Sequence, residues 1–108
     1  MAGVGEEKRR KAFQLLELTR SLLKHARAGD WVALARGEQE RQDLARSLFS
    51  TPVPPDAAPT VAECIRQVLA LDTELLALIS ASREEAAKAM QEARQGRKAV
   101  EAYRRFSR

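Results

Sequence analysis

The chain is short of the residues that most chemistries need. It holds one cysteine, Cys64, and one histidine, His25, in 108 residues. A lone cysteine excludes an internal disulfide, and a histidine without a second histidine or a cysteine near it in sequence is a poor start for a metal site. Cys64, next to Ile65, suits a small buried hydrophobe rather than a nucleophile. Aromatic residues make up only 5% of the chain, and β-branched runs are scarce, which disfavours sheets. No apolar run reaches the roughly 18 residues that a membrane span needs, and no early stretch resembles a secretion signal. A cytoplasmic location is the expectation. Glycine-rich phosphate loops, Gly-x-Ser-x-Gly elbows and Cys/His metal spacings are missing, and the paired carboxylates Glu84 and Glu85 are neighbours that do not face each other on a helix. No catalytic residue, metal ligand or cofactor is expected, and an enzyme is not.

What remains is helix-forming. The chain is 44% hydrophobic and 31% charged, dominated by Ala, Leu, Glu, Arg and Gln, and an all-α fold in one small domain follows. All four prolines lie between Ser50 and Pro59, so this stretch is read as the linker. The longest run without proline or glycine, Thr60 to Gln95, is the organising element. It opens on a Thr-x-x-Glu capping box (Thr60, Glu63), in which each side chain satisfies an orphaned backbone donor. Val61, Ile65, Val68, Leu75 and Ile79 then recur at threes and fours, with Asp72 in an apolar register. Gly96 is expected to stop it. About 36 residues at roughly 1.5 Å rise give a rod of about 54 Å, more than one shorter element can cover.

The first helix is predicted from Glu6 to Ala28, with Ala12, Leu15, Thr19, Leu22 and Ala26 on one stripe. Gly29 is placed as its left-handed terminator and Asp30 as the N-cap of the next helix, which forces a tight hairpin. That second helix, Trp31 to Phe49, is weakly apolar in the middle, where Gly37 and Arg41 take core-facing positions; the glycine suggests close approach or a bend. Trp31 reads as a cap on the bundle end. The basic run Lys8 to Lys11 reads as solvated surface. The expected architecture is an antiparallel three-helix, up-down-up bundle with an over-long third helix and a short amphipathic fourth helix, divided as a bundle over 1–96 and a tail over 97–108.

Two consequences follow from register and length. Arg41 falls about one turn from Asp72 if the second and third helices run antiparallel, so the two are expected to pair, because a half-buried carboxylate without a partner is costly. The third helix outruns the hairpin near Ser82 or Arg83, leaving part of its stripe bare. Leu75, Ile79, Ala86, Met90 and Ala93 are therefore the candidate partner-binding residues. After Gly96, the residues Ala99, Val100, Tyr103 and Phe106 share an apolar face. Up to Gly96 the chain carries 14 basic and 14 acidic residues, and beyond it five basic and one acidic. This tail is expected either to dock on the bare stripe and compete with an external partner or to insert into a partner's groove, the alternative being a simple fourth core helix.

The order Gly29-Asp30-Trp31, then Glu40-Arg41-Gln42, then a long helix with Asp72 and Arg83, then Gly96-x-Lys98-Ala99-x-x-Ala102-Tyr103, resembles the FliT family of flagellar type III export chaperones. The resemblance implies a cytoplasmic, non-enzymatic chaperone. It would bind the C-terminal helical segment of the filament-cap protein, keep it unassembled and deliver it to the export apparatus, with export ATPase complex components as further partners. It also implies a regulatory last helix that covers a hydrophobic partner site, Tyr103 matching the family's tyrosine. Two other classes compete. One is a small basic module that binds nucleic acid or an anionic surface through the tail; against it, the Ala28–Trp31 connection is too tight for a recognition helix to project. The other is a self-associating bundle, a weak homodimer.

Overall fold

A computed structural model describes residues 3–107. Among these the chain is all-α, with three helices and no strand: α1 (Val4–Arg27), α2 (Trp31–Phe49) and α3 (Ala58–Phe106). It divides into two compact units, residues 1–78 and residues 79–108, the boundary falling inside α3.

The hairpin chemistry sits where the sequence puts it. Gly29 takes φ +71°, the only positive φ among the described residues, and the Asp30 side chain accepts from the Ala33 backbone N–H at 3.1 Å, closing the first turn of α2. Residues in contact rise on α1 as they fall on α2. The Lys11 ammonium donates to Ser47 Oγ at 2.7 Å, while a Cβ added at Gly37 would collide with the side chain of Leu22, itself fully buried. Glycine at 37 thus lets the two helices close in where α2 offers no large apolar side chain.

The basic run is not uniform surface. Lys8 is 3% exposed, and its ammonium donates to the carbonyls of Leu48 and, at 3.0 Å, Thr51. The last carbonyls of a helix have no partner within it. Lys8 therefore closes the end of α2 from α1, with its methylenes buried and its charge on two backbone dipoles. Arg9 reaches Asp56 in the linker at 3.6 Å. The solvated-surface expectation fails for Lys8 because sequence spacing does not reveal which helix end a side chain will meet.

The linker enters α3 earlier than expected. The backbone N–H groups of Ala57 and Ala58 both donate to the Pro54 carbonyl, and Val61 N–H donates to the Ala57 carbonyl. The helix begins at Ala58, with Pro59 in its first turn, where a missing N–H costs nothing. Thr60 is inside the helix and is not its cap. Ala12, Leu15 and Leu16 of α1, Leu48 of α2, and Ala57, Val61, Cys64 and Val68 form one core cluster. Burial, with Glu63 nearby, pushes the Cys64 thiol above its ordinary range, so it stays protonated and inert. Along α3, Arg20 donates to Gln67 and Arg27 to Glu74, residue numbers rising together.

The break at Gly96 and the separate fourth helix are not there. α3 runs through Gly96 to Phe106. One glycine in a helix interior costs about 1 kcal/mol against alanine, and the flanking Gln95, Arg97, Lys98 and Ala99 are good helix formers. Nothing follows it that demands a left-handed residue or a missing N–H.

The middle of α2 holds a polar cluster. Arg41, whose side chain is 15% exposed, pairs through Nη1 with Asp72, whose side chain is 25% exposed. Its Nη2 lies 2.8 Å from Glu38. Burial works against the charged guanidinium, but the bonds to Asp72 and Glu38 outweigh it and hold its proton more firmly than usual. In place of an apolar side chain, α2 meets α3 here through a fork that must satisfy two carboxylates at once.

Three measurements test this account of the fold. Gly96→Ala should raise helicity by circular dichroism, by about 0.5–1 kcal/mol in local helix stability, since nothing lies within 4 Å of an added Cβ. Gly37→Ala should instead lower stability by about 1 kcal/mol, because overpacking against Leu22 outweighs the propensity gain. In a double-mutant cycle, Arg41→Ala and Asp72→Ala should couple by about 1–3 kcal/mol. Additive single effects would mean that the contact contributes nothing.

Candidate partner-binding site

The site expected from sequence is spread over both units, and its residues do not behave alike. Leu75 is 2% exposed. It is the last buried residue of α3, a core side chain in residues 1–78 that cannot face a partner while the helices stay packed. Leu75 therefore leaves the candidate set. Ile79, at the start of the second unit, is half-buried. Arg41 and Asp72 belong to the structural cluster of the first unit and stand apart from any exposed apolar face.

Within residues 79–108 the picture is uniform. Every described side chain from Arg83 to Ser107 is exposed. Ala86, Met90 and Ala93 lie on one side of the helix, because steps of three, four and seven residues return to nearly the same angle at about 100° per residue. Met90 is 65% exposed, and with Ala87, Gln91, Arg94, Gln95 and Lys98 it lines a shallow recess between side chains. Unbranched methionine next to alanine gives a surface that adapts to whatever packs on it.

The tail residues carry more apolar area than the rest of this segment. Val100, Tyr103 and Phe106 are 51%, 74% and 88% exposed. Ala99 is exposed as well. Here they are the continuation of α3, and with the helix unbroken they do not fold back over Ala86, Met90 and Ala93. Docking of the tail on that face requires the helix to open, and Gly96 is its weakest residue.

Residues 1–78 hold a second apolar surface that the sequence pattern did not single out as a site. Phe49, Val53, Ala58, Val61, Ile65 and Leu69 line an open groove of about 390 Å³, and Leu69 and Leu76 are both more than half exposed. Leu69 and Leu76, seven apart, are legible as widening the α3 stripe. That they face out of the core follows only from where α1 and α2 sit, which the sequence does not state. Phe49 and Val53 join them because the linker turns back at Pro54.

None of these surfaces, among the described residues, places a nucleophile beside a base. Comparison with known proteins gives one result: a family model described as Flagellar protein FliT matches residues 10–105. No curated protein matches the chain.

Proposed function

The chain belongs to the FliT family of flagellar proteins, a family of chaperones rather than enzymes, and on that premise we propose that it binds the C-terminal helical segment of the filament-cap protein, keeps that segment from assembling and delivers it to the export apparatus. The observation that supports this reading is the exposed segment of α3. A helix that buries nothing from Arg83 onward gains little stability from its own chain, and helices are held mainly by packing an apolar face. Such a face is suited to receive an amphipathic helix from outside. Ile79, Ala86, Met90 and Ala93 are its proposed contact residues. In the cytoplasm, components of the export ATPase complex are the expected next partners after the cap protein.

The contacts within residues 1–78 support the up-down-up arrangement as the scaffold. Lys11 with Ser47 supports an antiparallel first pair, and Arg20 with Gln67 and Arg27 with Glu74 support a third helix running with the first. The tail, residues 97–108, is proposed as a regulatory element. Opened at Gly96, its Ala99, Val100, Tyr103 and Phe106 face would reach the same stripe at an effective concentration on the order of millimolar. The continuous helix corresponds to the open, binding-competent form.

Met90→Glu should weaken binding of the cap-protein segment at least about tenfold, with thermal unfolding nearly unchanged because the side chain is exposed. A large loss of stability with binding intact would overturn the assignment of this face. Truncation after Gln95 should raise affinity for the segment by about 1–3 kcal/mol. Tyr103→Ala should recover part of that gain, and Gly96→Ala should mimic it by resisting the break. Weaker binding by the truncated chain would make Tyr103 and Phe106 contact residues and end the inhibitory reading.

A further inference from the structure

Charge is distributed unequally between the two units. Residues 1–78 carry 11 basic and 11 acidic side chains, and residues 79–108 carry eight basic and four acidic, so the whole formal charge of +4 lies in the second. Ion pairing follows the opposite division. Among the described residues, every ion pair lies within residues 1–78. Among the described residues, the charged groups of the second unit are exposed and form no ion pair.

They are also sorted. Ile79, Ala86 and Ala93 recur every seven residues, and Ala89 and Gly96 fill the alternate positions of the same seam. Seven-residue spacing is the signature of a helix that packs along another helix. Arg83, Met90 and Arg97 form the row along one edge of the seam, and Glu85 and Glu92 the row along the other. In a helix pair these edge rows face the partner's edge rows and select its charge and orientation. Beyond Ile79 the seam side chains are small, so an incoming helix can approach closely and fill the space with its own bulkier residues.

We infer that the occupant of the face from Ile79 to Arg97 is an amphipathic helix with a bulky apolar stripe and a predominantly acidic edge, laid against the Arg83–Arg97 row; this rests on the proposed function of that face. Arginine favours this outcome, since its planar fork grips a carboxylate through two bonds. A second copy of the chain fits less well. An antiparallel copy would set Arg row against Arg row and Glu row against Glu row. A parallel copy would align the rows correctly but bring together two segments that each carry the full +4.

The test uses the full chain and two synthetic helical peptides with the same leucine stripe, one with glutamates along one edge and glutamines along the other, the second with glutamines along both, each followed by fluorescence anisotropy. The glutamate peptide should bind about two- to fivefold more tightly, the sum of two exposed edge pairs, to Arg83 and Arg97. The preference should shrink with added salt. Arg83→Gln with Arg97→Gln should abolish it while leaving helicity and melting unchanged. Equal binding, a glutamine preference, or a preference that survives the double variant overturns the inference. If both peptides bind equally and Met90→Glu weakens both, the acidic edge is wrong and the site stands. If Met90→Glu changes neither, or neither peptide binds, the site itself is wrong. Displacement of the glutamate peptide by duplex DNA beyond the effect of salt at equal ionic strength, or a concentration-dependent dimer lost in the double variant, would assign the arginine row to nucleic acid or to a second copy and overturn it as well.

Discussion

The structure turns on how far apolar burial extends along α3. Val61, Cys64, Val68 and Leu75 are buried, and none of the described residues after Leu75 is. Burial of a Val, Leu or Ile side chain contributes about 1.5–3 kcal/mol each. Where that contribution ends, so does the reason for one particular tertiary arrangement. Residues 1–78 thus hold the core, with every ion pair among the described residues, while residues 79–107 hold exposed apolar and charged groups that form no ion pair with one another. The division is one of energetics within a single continuous helix. It separates what the chain needs to fold from what it has available to bind.

Inside the first unit, two charged side chains do work that apolar residues do elsewhere. Lys8 closes the C-terminal carbonyls of α2 from a neighbouring helix. Arg41 joins Glu38 and Asp72 in the weakly apolar middle of α2. Neither device is a source of large net stability, because removing charges from water offsets most of the gain. Their effect is on register. An apolar contact tolerates a slip of one turn, whereas a guanidinium on α2, held by Glu38 of its own helix, must meet Asp72 of α3 in one register. A small domain with a modest core is held in one arrangement by such contacts.

Much of this was readable from residues alone. Gly29 and Asp30 mark the hairpin because one supplies a left-handed residue and the other a cap, both local effects. The bounds of α2 follow from that cap and from the prolines beyond Ser50. The registers of Arg41 and Asp72 put them within reach of each other. What was not legible depends on neighbours or on small competing energies. Glu38 as a third partner and Lys8 as a cap are set by tertiary placement. Leu75 and Leu69 read alike as apolar positions on α3, yet one is buried and the other open, because their sides of the helix differ in cover. The passage of α3 through Gly96 is a balance of about 1 kcal/mol between glycine's entropy and its neighbours' propensity, which a punctuation rule cannot resolve. The exposure of α3 from Arg83 onward was legible through length, since the predicted third helix is longer than the hairpin helices that cover it.

The central claim is that binding belongs to residues 79–97 and folding to residues 1–78. Amide hydrogen exchange with and without the cap-protein segment measures both at once. In the free chain, amides around Leu15, Leu48 and Cys64 should be slowest and those beyond Arg83 fast, since protection follows burial and local packing. On adding the segment, protection should rise chiefly between Ile79 and Arg97, with the core little changed. Protection that appears instead along Phe49, Val53, Ile65 and Leu69, with Ile79 to Arg97 unaltered, would contradict the account and move the partner to the groove of the first unit.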